Sequence, residues 1–341
     1  MNRKKWTLVY IVLNILLIAL IGVLDPEIKD VGKIFRDVRL SWITGGVLLM
    51  LIFWLMDGII LSYAVKVISR TKAFWGCLRV SLIGQYYNAV TPFASGGQPA
   101  QVYYMGKLGV SGGSASSVLM IKFLIYQVVL SLYCLAAFIW KGITIYNHNP
   151  WVFWFSVVGF IINAGAVVLL VSLSFNKGFV EGLVFKTIDI LGAIRLIKDT
   201  HGMKERLISH VEDFHEGLKF MRGNARAILT LGMMTAIQLI CFFSITFFIY
   251  RALGLEGEKW INVVSVQSLL YLAVSFVPTP GSMGASETGY IAFFRLFFPG
   301  DLIFVSMLLW RAISYYLNIL AGVIIILLDS LRQIVSHDVA N

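Results

Sequence analysis

The chain has 341 residues, of which 58% are apolar and only 13% charged, and it carries a formal net charge of +10. Soluble domains hold about 25% charged residues, so the polar surface here is too scarce to coat an ordinary soluble protein. This excludes a cytosolic globular protein, a disordered chain and a nucleic-acid binder, and leaves an integral membrane protein whose basic excess belongs on the cytoplasmic side.

A helix needs about 20 apolar residues to cross the hydrocarbon core. Trp6 to Leu24 follows Arg3, Lys4 and Lys5; it is longer than a signal-peptide core and no A-x-A-like site follows, so it reads as an uncleaved span. Asp25 to Leu40 repeats Ile28, Val31, Ile34, Phe35 and Val38 at helical spacing and is expected to lie along the membrane surface. Further spans are predicted at Trp42–Val67, Ser117–Trp140, Trp151–Leu173, Ala227–Tyr250 and Leu302–Leu328. The one sizeable polar stretch, residues 175–226, is expected to be a cytoplasmic loop. Leu207, Val211, Phe214, Leu218 and Met221 make one amphipathic helix there, and Phe179, Leu183, Ile188, Leu191 and Ile194 suggest another. The loop is too short for a catalytic domain.

Two apolar segments, at about 74–109 and 260–298, are interrupted by Thr91-Pro-Phe-Ala-Ser-Gly-Gly-Gln-Pro99 and Pro278-Thr-Pro-Gly-Ser-Met-Gly284. Either stretch breaks a continuous helix. Irregular backbone at membrane depth survives only inside protein or beside a wet cavity, so both segments read as re-entrant broken hairpins. With six full spans and two hairpins, both termini fall in the cytoplasm. Lys and Arg then divide 18 inside to 7 outside, with Lys122, Arg295 and Arg311 in the membrane. The hairpins would enter from opposite faces. Asn88-Ala-Val-Thr-Pro also looks like Leu272-Ala-Val-Ser-Phe. The fold class is therefore an all-α integral membrane protein: one polytopic domain over residues 1–341, a helical bundle with two re-entrant hairpins arranged as an inverted repeat.

Ionisable groups within spans are costly and mark function or pairing. The candidates are Asp57, Lys122, Glu287, Arg295 and Arg311. Arg295 is expected to snorkel, and Lys122 to sit near the cytoplasmic interface. The others either pair off to hold the bundle or serve transport; a buried Glu287–Arg311 or Asp57–Arg311 pair fits both. Arg311, Ser314, Tyr315 and Asn318 share one helical face, Gln267, Tyr271 and Ser275 another, and Gln85 and Asn88 a third. Pro99 sits where a helix can restart after Gly96 and Gly97, and a helix carrying Glu287 begins after Gly281, Ser282 and Gly284. Free backbone amides at such starts attract anions, so these two turns, with Lys122 and Arg311, are the expected phosphate site. Asp57 and Glu287 would meet a head-group amine or a coupling proton. Cys77, Cys134 and Cys241 lack CxxC spacing, the histidines form no HExxH, and there is no Walker A or GxGxxG motif. No metal or cofactor is expected.

Gly96-Gly-Gln-Pro99 followed by Tyr103 and Gly106, and Pro278-Thr-Pro-Gly-Ser-Met-Gly-Ala-Ser-Glu287, resemble the two signature stretches of the lysylphosphatidylglycerol synthase transmembrane, flippase-like family. Ser282 stands where that family commonly has a second glycine. The resemblance implies a bacterial cytoplasmic-membrane protein that translocates a phospholipid such as lysyl-phosphatidylglycerol, linked to resistance to cationic antimicrobial peptides. In longer members a soluble C-terminal domain transfers lysine from lysyl-tRNA to phosphatidylglycerol. Only 13 residues follow Leu328, so that domain is expected to be absent. Lysyltransferase activity remains the alternative, and a separate aminoacyltransferase or glycosyltransferase the expected soluble partner.

Overall fold

A computed structural model describes residues 36–71, 73–175 and 223–338, with a few positions between 178 and 219. The expected first span, most of the surface helix and nearly all of the polar loop lie outside the described residues. The described chain is helical: α1 (Leu40–Ser69), α2 (Phe74–Val90), α3 (Gly97–Gly106), α4 (Gly112–His148), α5 (Pro150–Phe175), α6 (Ala225–Ala252), α7 (Trp260–Val274), α8 (Ala285–Phe294), α9 (Gly300–Arg311) and α10 (Leu317–Asp338).

Five stretches are long and apolar enough to cross a bilayer: Leu40–Ser69, Gly112–His148, Pro150–Leu169, Ala225–Ala252 and Gly300–Ile326. They coincide with the five expected spans among the described residues, and the protein is a multi-pass membrane protein. Their outer faces stay apolar: Leu48, Leu51 and Leu55 on α1, Leu132, Leu135 and Ile139 on α4, and Trp154, Val158 and Ile161 on α5 are all exposed. Helices that are apolar on every side are what lipid requires. One boundary differs. The span expected to stop at Trp140 continues to His148 and reaches 37 residues, because no breaker intervenes before Asn149-Pro150. Its start is firmer, since the Ser111 hydroxyl accepts from the Ser114 amide at 3.2 Å as an N-cap.

The bundle is organised about α1 and α6, which run antiparallel. The Arg39 amide donates to the Ala252 carbonyl at one end (2.9 Å), and the Gln238 amide reaches Asp57 midway (2.9 Å). Two helical hairpins fit around them. In the first, α2 leaves the Ser69 end and α3 returns there, with Leu108 folding back over Gly76. In the second, α7 starts at the opposite end, where the Trp260 indole donates to Ser244 of α6 (2.9 Å). After α8 the chain returns there, with Phe298 edge-on to Tyr250 at 5.5 Å. The two hairpin tips touch.

The tips share a conformation. Each is a short 3-10 turn, Pro92–Ala94 in one and Pro280–Ser282 in the other. Thr91 (φ −118°, ψ 146°) and Thr279 (φ −109°, ψ 149°) precede them in extended form. Phe93 (φ 53°, ψ 20°) and Gly281 (φ 60°, ψ 22°) then enter the left-handed region, as do Ala94 (φ 52°) and Ser282 (φ 50°). The matching stretches are therefore Thr91–Gly96 and Thr279–Gly284, four residues away from the pairing read from Asn88 and Leu272. A left-handed conformation costs a non-glycine residue roughly 1–2 kcal/mol, so Phe93, Ala94 and Ser282 are held there by their surroundings.

The last span carries a π-helical turn, Ala312–Tyr316, between α9 and α10, which periodicity does not foretell. On α10, Gly322 lies against the Tyr86 side chain of α2, and a Cβ there would overlap it. Gly322→Leu overpacks this contact and is expected to lower unfolding stability by about 1–3 kcal/mol, read as an earlier thermal unfolding transition in detergent. An unchanged transition would mean that α2 and α10 do not meet.

Candidate functional site

A cavity of about 210 Å³ lies where the two tips meet the last span. Its wall takes Gln85, Asn88 and Ala89 from α2, Phe93 and Ala94 from the first tip, and Tyr271 and Ser275 from the end of α7 and just beyond it. Thr279, Gly281, Ser282 and Ser286 come from the second tip and α8, and Trp310, Arg311, Ser314, Tyr315 and Asn318 from the last span. Phe53 and Phe242 close it from α1 and α6. All four residues of the Arg311 stripe are thus on the wall. Tyr271 and Ser275 are there too, while Gln267 points away to Thr246 at 2.7 Å.

Arg311 is the organising side chain and is buried. One terminal nitrogen stands 2.6 Å from Glu287 Oε1, and the other donates to the Gly281 carbonyl at 3.1 Å. Its guanidinium lies 5.0 Å from the Tyr315 ring centre and 5.3 Å from that of Trp310. Glu287 is fully buried, and its second oxygen accepts from the Gly284 amide at 2.8 Å. The same carboxylate thereby caps α8 and neutralises Arg311. Gly281 has φ +60° and packs so closely on Tyr315 that a Cβ would overlap the ring. Tyr315 in turn donates to the Ala89 carbonyl beside the first tip (3.2 Å). One turn of the last span therefore ties both tips together. Glu287–Arg311 is the pair that forms; Asp57–Arg311 does not.

Asp57 pairs instead with Lys122, at 2.7 Å. The lysine side chain is 14% exposed, so the pair is largely enclosed by its neighbours. Gln238 donates to one Asp57 oxygen at 2.9 Å and Gln85 to the other at 3.5 Å. Gln85 is on the cavity wall, so this second ion pair sits one side chain behind it. Tyr126, a turn after Lys122, donates to the hydroxyl of wall residue Tyr271 at 2.8 Å.

The glycine turns do different work. The Gly96 amide donates to the Thr91 hydroxyl at 2.8 Å. Gly97 is buried against the Asn88 side chain, and Pro99 lies exposed in the first turn of α3. The Ser282 and Met283 amides close the second tip on Thr279 and Pro280 (3.0 and 3.3 Å). Of the glycine-turn positions, Gly281 and Ser282 reach the wall; the amides of 282–284 are spent within the loop. The donors left over are side chains. Arg311 Nε and the Trp310 indole N–H are buried and have no hydrogen-bond partner among the described residues. Trp310 and Gln238 carried no weight in the sequence reading. Gln238 had a signal, as an amide in an apolar span; Trp310, one tryptophan among nine, had none. Arg295 is exposed at the end of α8. No cluster of metal-ligating side chains occurs among the described residues.

Removing one partner of a buried ion pair strands the other and costs about 3–5 kcal/mol. Lys122→Met alone is expected to lose about that much, and Asp57→Asn added to it to restore a large part. A double-mutant cycle by thermal unfolding in detergent checks this; strict additivity would show that the two charges do not interact.

The comparisons agree with this architecture. The family model described as "Lysylphosphatidylglycerol synthase TM region" matches residues 8–322. A UPF0104 membrane protein of Archaeoglobus fulgidus is 24% identical over 283 residues, 81% of this chain and 83% of that protein. An uncharacterized protein of Mycoplasma genitalium is 21% identical over 324 residues, 89% and 82% of the two chains. With the match running from the first expected span through the cavity-lining turn of the last one, the chain belongs to the lysylphosphatidylglycerol synthase transmembrane-region family.

Proposed function

We propose that this protein translocates a phospholipid across a cytoplasmic membrane, holding the head group between the two hairpin tips while the acyl chains stay in lipid. The observation that carries the reading is the cavity itself. A wall of serine, asparagine and glutamine side chains around a buried arginine is costly at membrane depth unless it meets water or a polar ligand. Whole-ligand pockets run to roughly 300–1,000 Å³, so about 210 Å³ suits a head group better than an entire lipid.

In this reading the hairpins are re-entrant and dip into the bilayer from opposite faces, with both termini in the cytoplasm. The two halves form an inverted repeat: long helix, broken hairpin, long helix. The order α1–α2–tip–α3–α4 against α6–α7–tip–α8–α9 supports it, as does the shared backbone path of the tips. Arg311 is the charged group for the phosphate; Asn88, Ser275 and Asn318 surround the rest. Tips that touch and are both strained can separate toward one face or the other, which is what alternating exposure requires.

Purified protein in vesicles with a trace of acyl-labelled fluorescent phospholipid tests the reading through access of a membrane-impermeant quencher. Movement between leaflets faster than in empty vesicles is expected. Glu287→Gln combined with Arg311→Gln leaves no stranded charge and is expected to bring the rate down to that of empty vesicles. A scaffold role would instead give altered thermal stability, with wild-type and variant vesicles alike.

A further inference from the structure

Resting on the translocator reading, the second ion pair bears on what drives the movement. Asp57 and Lys122 stand 2.7 Å apart, with side chains 5% and 14% exposed. Gln238, which donates to Asp57 at 2.9 Å, has 13 residues of α6 before it and 14 after it, about 20 Å of helix each way. Charges set so far from the helix ends are costly, and a pair kept only to brace helices is replaceable by well-packed apolar side chains without loss. The Arg311–Glu287 pair already holds the second tip, so Asp57 and Lys122 are not needed to shape the chamber.

Two side chains nevertheless join them to it. Gln85 lines the wall and is half-buried. Its amide donates to Asp57 at 3.5 Å, longer than the Gln238 and Lys122 contacts. An amide held this loosely is free to turn to a polar occupant of the chamber. Tyr126 of α4, one turn after Lys122, donates to wall residue Tyr271 at 2.8 Å, and both phenols lie within electrostatic reach of Asp57. Cys77 of α2 lies within reach of Lys122. From α6 the neutral Gln238 faces Asp57, and Arg311 of the last span is committed to Glu287. Asp57 is thus the acid of this cluster, with one cation to hold its charge.

We infer that Asp57 is a coupling-proton site, charged while Lys122 is against it and neutral while the chamber is occupied. Occupancy draws Gln85 toward the chamber and the pair parts; a carboxylate left without its cation in a low-dielectric interior takes up a proton. That proton comes from water and adds to one Asp57 oxygen, while Lys122 keeps its own. When the chamber empties the pair closes, and the proton leaves to water. The protein ends as it began, and uptake on one face with release on the other carries one proton per lipid. Linkage of this kind is reciprocal, so a proton gradient biases the lipid.

Phosphatidylcholine vesicles with wild-type protein and a trace of acyl-labelled phosphatidylglycerol test this, with valinomycin and equal potassium holding the potential at zero. A pH difference of about one unit is expected to enrich the label in one leaflet by up to about tenfold, and to reverse when the difference is reversed. Label that crosses faster than in empty vesicles yet stays evenly divided under the gradient overturns the coupling and leaves the translocator standing. No crossing above empty vesicles overturns both. Asp57→Asn combined with Lys122→Met is expected to move lipid but divide it evenly. A gradient response that survives in this variant puts the proton elsewhere, and crossing lost in the folded variant makes the pair part of the movement itself; either overturns the assignment. Lys122→Arg keeps the pair with a cation that does not give up its proton, and is expected to keep the response. Loss of the response there moves the titration to the lysine and overturns the assignment to Asp57.

Discussion

The Arg311–Glu287 pair is the constraint on which the chamber between the hairpin tips depends. Burying either ion alone costs several kcal/mol, and the pair is tolerable only because each member is also hydrogen-bonded. Those extra bonds are what shape the protein. Glu287 caps α8 through Gly284, and Arg311 holds the Gly281 carbonyl, so the second tip is gripped at two points. A single turn further on, Tyr315 fills the space left by the missing Gly281 side chain and reaches the Ala89 carbonyl. A charge pair, a glycine and a tyrosine thus convert two separate breaks in the sequence into one chamber.

The π turn at Ala312–Tyr316 belongs to the same device. Such turns insert extra backbone into a helix and recur at functional sites. Here it falls directly after Arg311, and Arg311, Ser314, Tyr315 and Asn318 all face the chamber. The Trp54 indole N–H donates to Asn318 at 2.6 Å, which ties α1 to the same wall. The Asp57–Lys122 pair lies behind Gln85, on the α1–α4–α6 side, and braces the three long helices against each other.

Much of this was legible beforehand, for physical reasons. Spans are visible because lipid leaves a helix no polar option, and the described ones fell where apolar runs placed them. The breaks were visible because proline and glycine cannot continue a helix. The Arg311 stripe was visible because residues three and four apart share a face, and the π turn did not disturb it. What sequence could not supply was partner choice among buried charges. Asp57 and Arg311 are equally plausible partners along a line of letters; only the antiparallel seating of α1 against α6 and α4 gives Asp57 to Lys122. The tip correspondence was also misregistered, because the likeness between Thr91–Gly96 and Thr279–Gly284 is in dihedral angles more than in side chains. The anion site was expected on the turn amides together with Lys122 and Arg311; the amides of 96 and 282–284 bond locally, which letters cannot foretell because it depends on the tips' dihedral angles.

The length of α4 has a mechanical corollary. At about 1.5 Å per residue, its 37 residues extend roughly 55 Å, against a hydrocarbon slab about 30 Å thick. Leaning alone absorbs only part of that excess, so its last turns, with Lys141 and His148, stand out of the slab beside Trp151 of α5. α5 stands beside it, with Phe153 edge-on to Phe138 and Tyr146 at 5.9 and 5.5 Å, so the two helices form one continuous apolar ridge on the outside of the bundle.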